Sequence, residues 1–238
     1  MDLSHSRPHK AFETAPIKPF NKFIDATKHV LKNCIDHNQR GRGPAARASL
    51  GDARNLPIAD STIDLVLTSP PYLNAIDYMR CSKFSLIWMG HTTKELTSVR
   101  AESVGTERGS KDALENREIR AVITSLKLSP KLRSSDEAVL AHYIADMRDA
   151  VGETARVLSS NGRAIYVVGE NTVCGTFIPN AKIVSAVAEL SGLRTDNRRA
   201  RELPANRRYL PPPTKQNAPD ALGGRMRREV ILSFSKSA

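Results

Sequence analysis

The chain has 238 residues, of which 40% are hydrophobic and 26% charged, a composition typical of a globular protein with one core. No apolar run reaches the roughly 20 residues that a membrane-spanning helix needs, and residues 1–5 lack the apolar core of a signal peptide, so we expect a cytoplasmic protein without a membrane partner. The net charge of +11 favours a polyanionic partner such as a nucleic acid, with charge that merely maintains solubility as the alternative.

The first predicted elements follow a polar, proline-interrupted tail at residues 1–18. Apolar residues at helical spacing from Phe23 to Ile35 predict a helix. Residues 48–50 are interpreted as a short strand that ends at Asp52, and residues 63–67 as a buried parallel strand. A helix is expected within residues 72–89, and the polar residues 91–130 predict a loop or a small insertion.

Helices and strands alternate in the second half of the chain. Ser134 and Glu137 form a capping-box signature at the start of a helix, a third strand is predicted at residues 163–169, and Pro179 begins another helix. A Pro- and Arg-rich loop at residues 203–228 precedes a final strand at 229–234. This order predicts an α/β fold with a mainly parallel sheet wound on both faces, in which ligands bind beyond the carboxyl ends of the strands. Three cysteines without a CxxC pair predict no metal site.

The pentapeptide Thr68-Ser69-Pro70-Pro71-Tyr72 directly follows the strand predicted at residues 63–67. Its structural interpretation is a proline turn that ends a strand. However, the segment from Leu65 to Tyr78, LVLTSPPYLNAIDY, resembles the catalytic motif of bacterial DNA amino-methyltransferases. The Ser-Pro-Pro-Tyr form is most similar to the branch that methylates cytosine N4.

The resemblance implies a Rossmann-like, S-adenosylmethionine-dependent methyltransferase fold over residues 19–238, acting on an exocyclic amine of DNA. Ser69 Oγ and the Pro70 carbonyl would accept the two amine hydrogens and expose the nitrogen lone pair. Pro70 and Pro71 would fix the backbone before the substrate arrives. Tyr72 would stack on a base flipped out of the duplex.

The same resemblance suggests further site residues. Asp52 would contact the adenine of S-adenosylmethionine, with an ordinary turn residue as the alternative. The predicted base pocket is lined by Asn74, Asp77, Tyr78 and Asn171, with capping residues of a first helical turn as the alternative for the first three. Residues 91–130 and 194–228 are the candidate DNA-contacting insertions, and the predicted phosphate contacts are Arg198, Arg199, Arg207, Arg208 and Arg225.

The Phe-x-Gly-x-Gly loop with which this family binds the methyl donor is not found in the 238 residues. We therefore expect an incomplete sheet with a gap in its middle, and a second polypeptide that supplies donor binding. A truncated gene product is the alternative. Adenine N6, RNA or a protein amide remain alternative acceptors, and a non-catalytic DNA-binding or partner-binding remnant is the alternative from another functional class.

Overall fold

The computed structural model of the protein describes residues 19–33, 46–73, 78–106, 109–129, 132–203 and 228–236. The chain divides into two units, Met1–Leu50 and Gly51–Ala238. The first unit contains helix α1, Pro19–Asn33, which confirms the predicted helix. The expected strand at residues 48–50 is wrong: these residues form no strand, and Leu50 is fully exposed. Three residues without a pairing partner are too few to sustain a strand.

Four strands of the second unit form one sheet, in the order β1-β2-β6-β5. They are β1 Ile63–Thr68, β2 Leu158–Gly169, β5 Leu193–Glu202 and β6 Arg228–Lys236, and a separate hairpin pairs β3 Asn171–Val173 with β4 Thr176–Ile178. Only β1 and β2 are parallel, whereas β6 is antiparallel to both β2 and β5. The predicted α/β class is confirmed, but the sheet is mixed instead of mainly parallel. The sheet is partial, as expected, but its four described strands are contiguous, so the expected gap in the middle is wrong, and β1 lies at one edge.

The second unit contains six helices among its described residues. They are α2 Tyr78–Trp88, α3 Thr93–Glu102, α4 Lys111–Glu115, α5 Arg117–Leu126, α6 Ser134–Val157 and α7 Asn180–Leu190. Three of them lie within residues 91–130, where a loop or a small insertion was expected. Local signals explain α3 and α5: Thr92 and Glu95 form a complete capping box, and Asn116 caps an α5 that buries Ile119 and Val122.

One face of the sheet is covered by α6 and α7. The side chains of alternate residues on β2 and β6, such as Tyr166 and Leu232, are buried together with Ile183 and Val184 of α7. No described helix of this unit covers the other face. There Ile165 and Val167 are half-buried, and on β1 the exposed fractions are 56% for Leu65 and 68% for Leu67. Among the described residues, the strand predicted to be buried is therefore open on one face and one edge.

An ion-pair cluster on α6 holds the segment that leads into β1. Arg156 donates to the carbonyls of Leu56 (3.0 Å) and Ile58 (2.8 Å). Glu153 accepts from the backbone N–H of Leu56 (2.7 Å) and pairs with Arg156 (2.8 Å). These contacts fix the start of β1, and with it the position at which β1 ends.

We expect Glu153 to make the stability of the protein depend on pH. Hydrogen bonds from Arg156 and then from Leu56 lower the pKa of Glu153 from 4.5 to about 2. Because the folded pKa is lowered, the stabilisation is fully present above pH 4.5 and is lost as the pH falls towards 2. Urea unfolding between about pH 5 and 2 should therefore show a shallower loss of stability in Glu153→Gln than in the wild type. Glu189→Gln, on an exposed turn of α7, is the control that should keep the wild-type slope, and an equal slope in both variants would contradict the assignment.

Candidate functional site

The Ser69–Tyr72 segment leaves the sheet at the carboxyl end of β1. Thr68 pairs with Tyr166 of the parallel strand β2, so the segment continues alongside the end of β2. Ser69 Oγ donates to the carbonyl of Val167 at 2.9 Å. A hydroxyl whose proton is engaged in this way keeps its lone pairs as acceptors. The predicted location of the motif, at a strand end, is confirmed.

The carbonyls of this loop differ in their partners. Tyr143 on α6, only 1% exposed, donates its hydroxyl to the Pro71 carbonyl at 3.0 Å. The side-chain amide of Asn171 donates to the Leu73 carbonyl. Within the described residues, no group donates to the carbonyl of Pro70, itself a buried residue. The loop thus contains two acceptor groups that are consecutive along the chain, the Ser69 hydroxyl, which also interacts with Tyr72, and the Pro70 carbonyl, next to two carbonyls that are already bonded.

Asn180, at the start of α7, connects the loop to the end of β2. It is fully buried, and its Nδ2 donates to the Gly169 carbonyl at 2.9 Å and to Asn171 Oδ1 at 2.8 Å. Its own Oδ1 is buried without a partner among the described residues, which costs free energy that the two donated bonds offset. No pattern in the sequence marks Asn180 or Tyr143 as a site residue. The first looks like an ordinary helix start after Pro179, and the second like a core residue in an apolar stripe.

Tyr72 is half-buried beside the ends of β2 and β6. Burial raises the pKa of its phenol, and hydrogen bonding with Ser69 opposes that rise. The negative charge of Glu229 adds to the rise, while Arg201 and a hydrogen bond with the Gly169 backbone act against it. The phenol is therefore neutral at physiological pH and lies next to the predicted amine acceptor Ser69.

The chain after α3 packs against the same loop. Gly105 has φ +80°, and a Cβ at this position would lie 3.4 Å from Cβ of Pro71 and 3.6 Å from the carbonyl oxygen of Tyr72. Thr106 next to it is buried. Part of the segment predicted as a DNA-contacting insertion thus forms a wall of the candidate site.

Asp52 lies in a tight turn, and Arg54 binds the Asp52 carboxylate. The guanidinium donates through Nη2 to Oδ2 (2.8 Å) and through Nε to Oδ1 (3.1 Å), and these bonds lower the pKa of Asp52. Arg54 also binds the buried Asp146 at 2.7 Å. With its carboxylate occupied and no glycine loop beside it, Asp52 does not form a site for S-adenosylmethionine from the described residues. Its predicted cofactor contact stays a prediction.

The structure separates the two described arginines of the predicted DNA-binding set. Arg198 pairs with the buried Leu232 and Arg199 with the half-buried Ile231, so they lie on opposite faces of β5. Asn74, Asp77, Arg207, Arg208 and Arg225 lie outside the described residues. Tyr78 is the first residue of α2, and Asn171 begins β3 with its amide in the network described above.

The described residues contain no group of three or more His, Cys, Asp or Glu side chains that could hold a metal ion. In the same part of the chain, no helix is both long and apolar enough to cross a membrane.

Comparison with known proteins finds similarity only among solved structures: no protein-family model and no curated protein matches. The PvuII DNA methyltransferase, which is cytosine-N4-specific, aligns with 79% of this chain and 48% of its own, at 14% identity and a TM-score of 0.43. A Thermus thermophilus protein named as a DNA modification methylase, in complex with S-adenosyl-L-methionine, aligns with 79% of this chain and 52% of its own, at 16% identity and a TM-score of 0.38. The chain spans about half the length of the structures that it matches.

Proposed function

We propose that this protein provides the acceptor half of a DNA amino-methyltransferase, which transfers a methyl group from S-adenosylmethionine to an exocyclic amine. Cytosine N4 is the expected acceptor, with adenine N6 or RNA as the alternatives. One observation carries the proposal: Ser69 Oγ and the Pro70 carbonyl are adjacent acceptors at a strand end, with the Ser69 proton directed away to Val167.

Two adjacent acceptors suit the chemistry of an aromatic amine. The nitrogen lone pair of such an amine is delocalised into the ring, which makes the nitrogen a weak nucleophile. Hydrogen bonds from both amine hydrogens, to Ser69 Oγ and Pro70 O, favour a pyramidal nitrogen whose lone pair faces the methyl group. Both acceptors are fixed before the substrate binds, so little reorganisation opposes the reaction.

DNA is the proposed substrate, and the charge of the chain supports it. The net charge is +11, and Arg199 lies on the exposed strand β5 within the predicted phosphate-contacting region. Neutralisation of phosphates by such cations releases counterions and makes binding salt-dependent. A half-buried tyrosine at the loop, Tyr72, offers a ring on which a flipped base stacks.

Donor binding is proposed to come from a second polypeptide. The described residues form no donor site, and the sequence has no Phe-x-Gly-x-Gly loop. The open edge of β1, with Leu65 and Leu67 exposed beside it, supports this part of the proposal because a further strand can pair there.

The test is transfer of a labelled methyl group to DNA by the protein together with the product of an adjacent reading frame that carries a strand followed by Phe-x-Gly-x-Gly. We expect Ser69→Ala to lower kcat about 100-fold with little change in KM, because the lost acceptor acts mainly in the transition state. Ser159→Ala is the matched control, since Ser159 also donates across the sheet, to Asp64 at 3.0 Å, but at the other end of β1. Mass spectrometry of the nucleosides distinguishes methylcytosine, methyladenine and RNA products.

Failure of every combination to methylate DNA, together with no effect of Ser69→Ala in cells, would overturn the enzyme proposal. Salt-sensitive DNA binding that survives Tyr72→Ala, without methyl transfer, would favour the non-catalytic DNA-binding alternative.

A further inference from the structure

We infer that Tyr143, Asn171 and Asn180 are positioning residues that set the direction of the Ser69–Tyr72 loop, and with it the place of Tyr72 in the site. The inference rests on the proposed function for its catalytic meaning. Its test does not need methyl transfer, so the two can fail separately.

The backbone chemistry of two consecutive prolines identifies where the loop needs support. The ring of Pro70 fixes its own φ, and the following Pro71 restricts the ψ of Pro70 to extended values. Pro71 has a fixed φ as well, but it is followed by Tyr72, so its ψ is the first free torsion of the loop. That torsion orients the Pro71 carbonyl and everything beyond it.

Tyr143 bonds to the group that this free torsion moves. Its hydroxyl donates to the Pro71 carbonyl at 3.0 Å, and its ring is 1% exposed in the core. A buried ring of this size has no room to follow a moving carbonyl. The hydroxyl therefore fixes the ψ of Pro71 and the direction in which Tyr72 leaves the turn.

Asn171 and Asn180 fix the far side of the loop. Asn180 Nδ2 donates to Asn171 Oδ1 at 2.8 Å, which leaves the Nδ2 of Asn171 directed at the Leu73 carbonyl. The second bond of Asn180, to the Gly169 carbonyl at 2.9 Å, ties this pair to the end of β2. Since the Asn171 amide donates one hydrogen to the loop and accepts one from Asn180, the structure assigns Asn171 to positioning of the loop.

The titration of the Tyr72 phenol shows whether the loop is held in its position. In protein labelled at the tyrosine ring Cζ with carbon-13, the resonance assigned by Tyr72→Phe gives the titration of this phenol, whose pKa is raised chiefly by burial. We expect Tyr143→Phe, which removes only the hydroxyl, and Asn180→Ala to release Tyr72 and shift its titration towards the usual value of about 10. Should Asn180→Ala not fold, Asn171→Ala at the half-buried partner takes its place.

Tyr166→Phe is the matched control. Its hydroxyl is also buried and also donates to α6, to Thr154 Oγ1 at 2.8 Å, but this bond does not involve the loop. It should lower the unfolding midpoint as much as Tyr143→Phe does and leave the titration of Tyr72 unchanged. In the complete enzyme, Tyr143→Phe should lower kcat roughly 10-fold or more with KM little changed, because the loop is misplaced.

Each outcome tests either the positioning role of these residues or the proposed function. A Tyr72 titration that is the same in the wild type, Tyr143→Phe and the asparagine variant would show that these residues do not position the loop. An equal shift in Tyr166→Phe would show a general loosening of the core and would also overturn the inference. A shift confined to the loop variants, in a protein that methylates no nucleic acid, would uphold the positioning network and reject the proposed function.

Discussion

Replacement of Arg54 with methionine is expected to destabilise the protein by about 3 kcal/mol, the lower end of the range for breaking a buried ion pair. Arg54 binds Asp146, whose side chain is 6% exposed, at 2.7 Å, and it also donates to the Glu102 carbonyl at 2.8 Å. Without Arg54 the Asp146 carboxylate stays buried, and the nearest basic group among the described residues is the His142 imidazole at 3.6 Å. The lower end applies because the Arg54 side chain is 25% exposed, so water replaces part of its interactions.

The other carboxylate that Arg54 binds, that of Asp52, supplies the control. Asp52 is 49% exposed at its side chain, and loss of an exposed pair costs at most about 1 kcal/mol, so Asp52→Asn should change stability little. Adding Asp146→Asn to Arg54→Met removes the stranded charge and should recover much of the loss. Urea unfolding measures all three proteins. If Asp52→Asn costs as much as Arg54→Met, the buried pair with Asp146 is not the source of the stability.

The features predictable from sequence were those with a local cause. The apolar run before Ser69 and the two prolines after it predicted a loop at a strand end. Alternating helices and strands predicted the α/β class, because the period of apolar residues depends only on nearby positions in the chain. The mixed strand order and the open face depend on pairings between distant segments, such as β2 with β6, and no local pattern encodes them.

The supporting residues of the site were hidden for the same reason. Tyr143 bonds a carbonyl 72 positions away, and Asn180 acts through Asn171 on a loop about 100 positions upstream. Along the chain, each has an ordinary structural explanation. Arg198 and Arg199 look equivalent in sequence, and only the strand that they share places them on opposite faces.

The largest effect on activity is expected from the open edge of the sheet. Leu65 and Leu67 lie on one face of the edge strand β1, and their exposed fractions are 56% and 68%. In the protein alone, changing both to lysine should alter stability by less than about 1 kcal/mol, because exposed positions tolerate polar residues. In a complex whose second polypeptide pairs a strand with this edge and also packs on the open face beside it, both positions become buried.

At such an interface, the ammonium group of each lysine would be desolvated without gaining a partner of opposite charge. At about 2 kcal/mol for each position, assembly with the proposed donor-binding polypeptide should weaken by roughly 1000-fold. Titration of that polypeptide against a fixed amount of this protein, with labelled methyl transfer as the signal, measures the change. Leu190→Lys is the control, since Leu190 is 50% exposed and lies on the helix-covered side at the end of α7. When the double variant keeps the unfolding midpoint of the wild type, a loss of assembly identifies the edge of β1 as the place where the proposed second polypeptide binds, and unchanged assembly would locate its binding elsewhere.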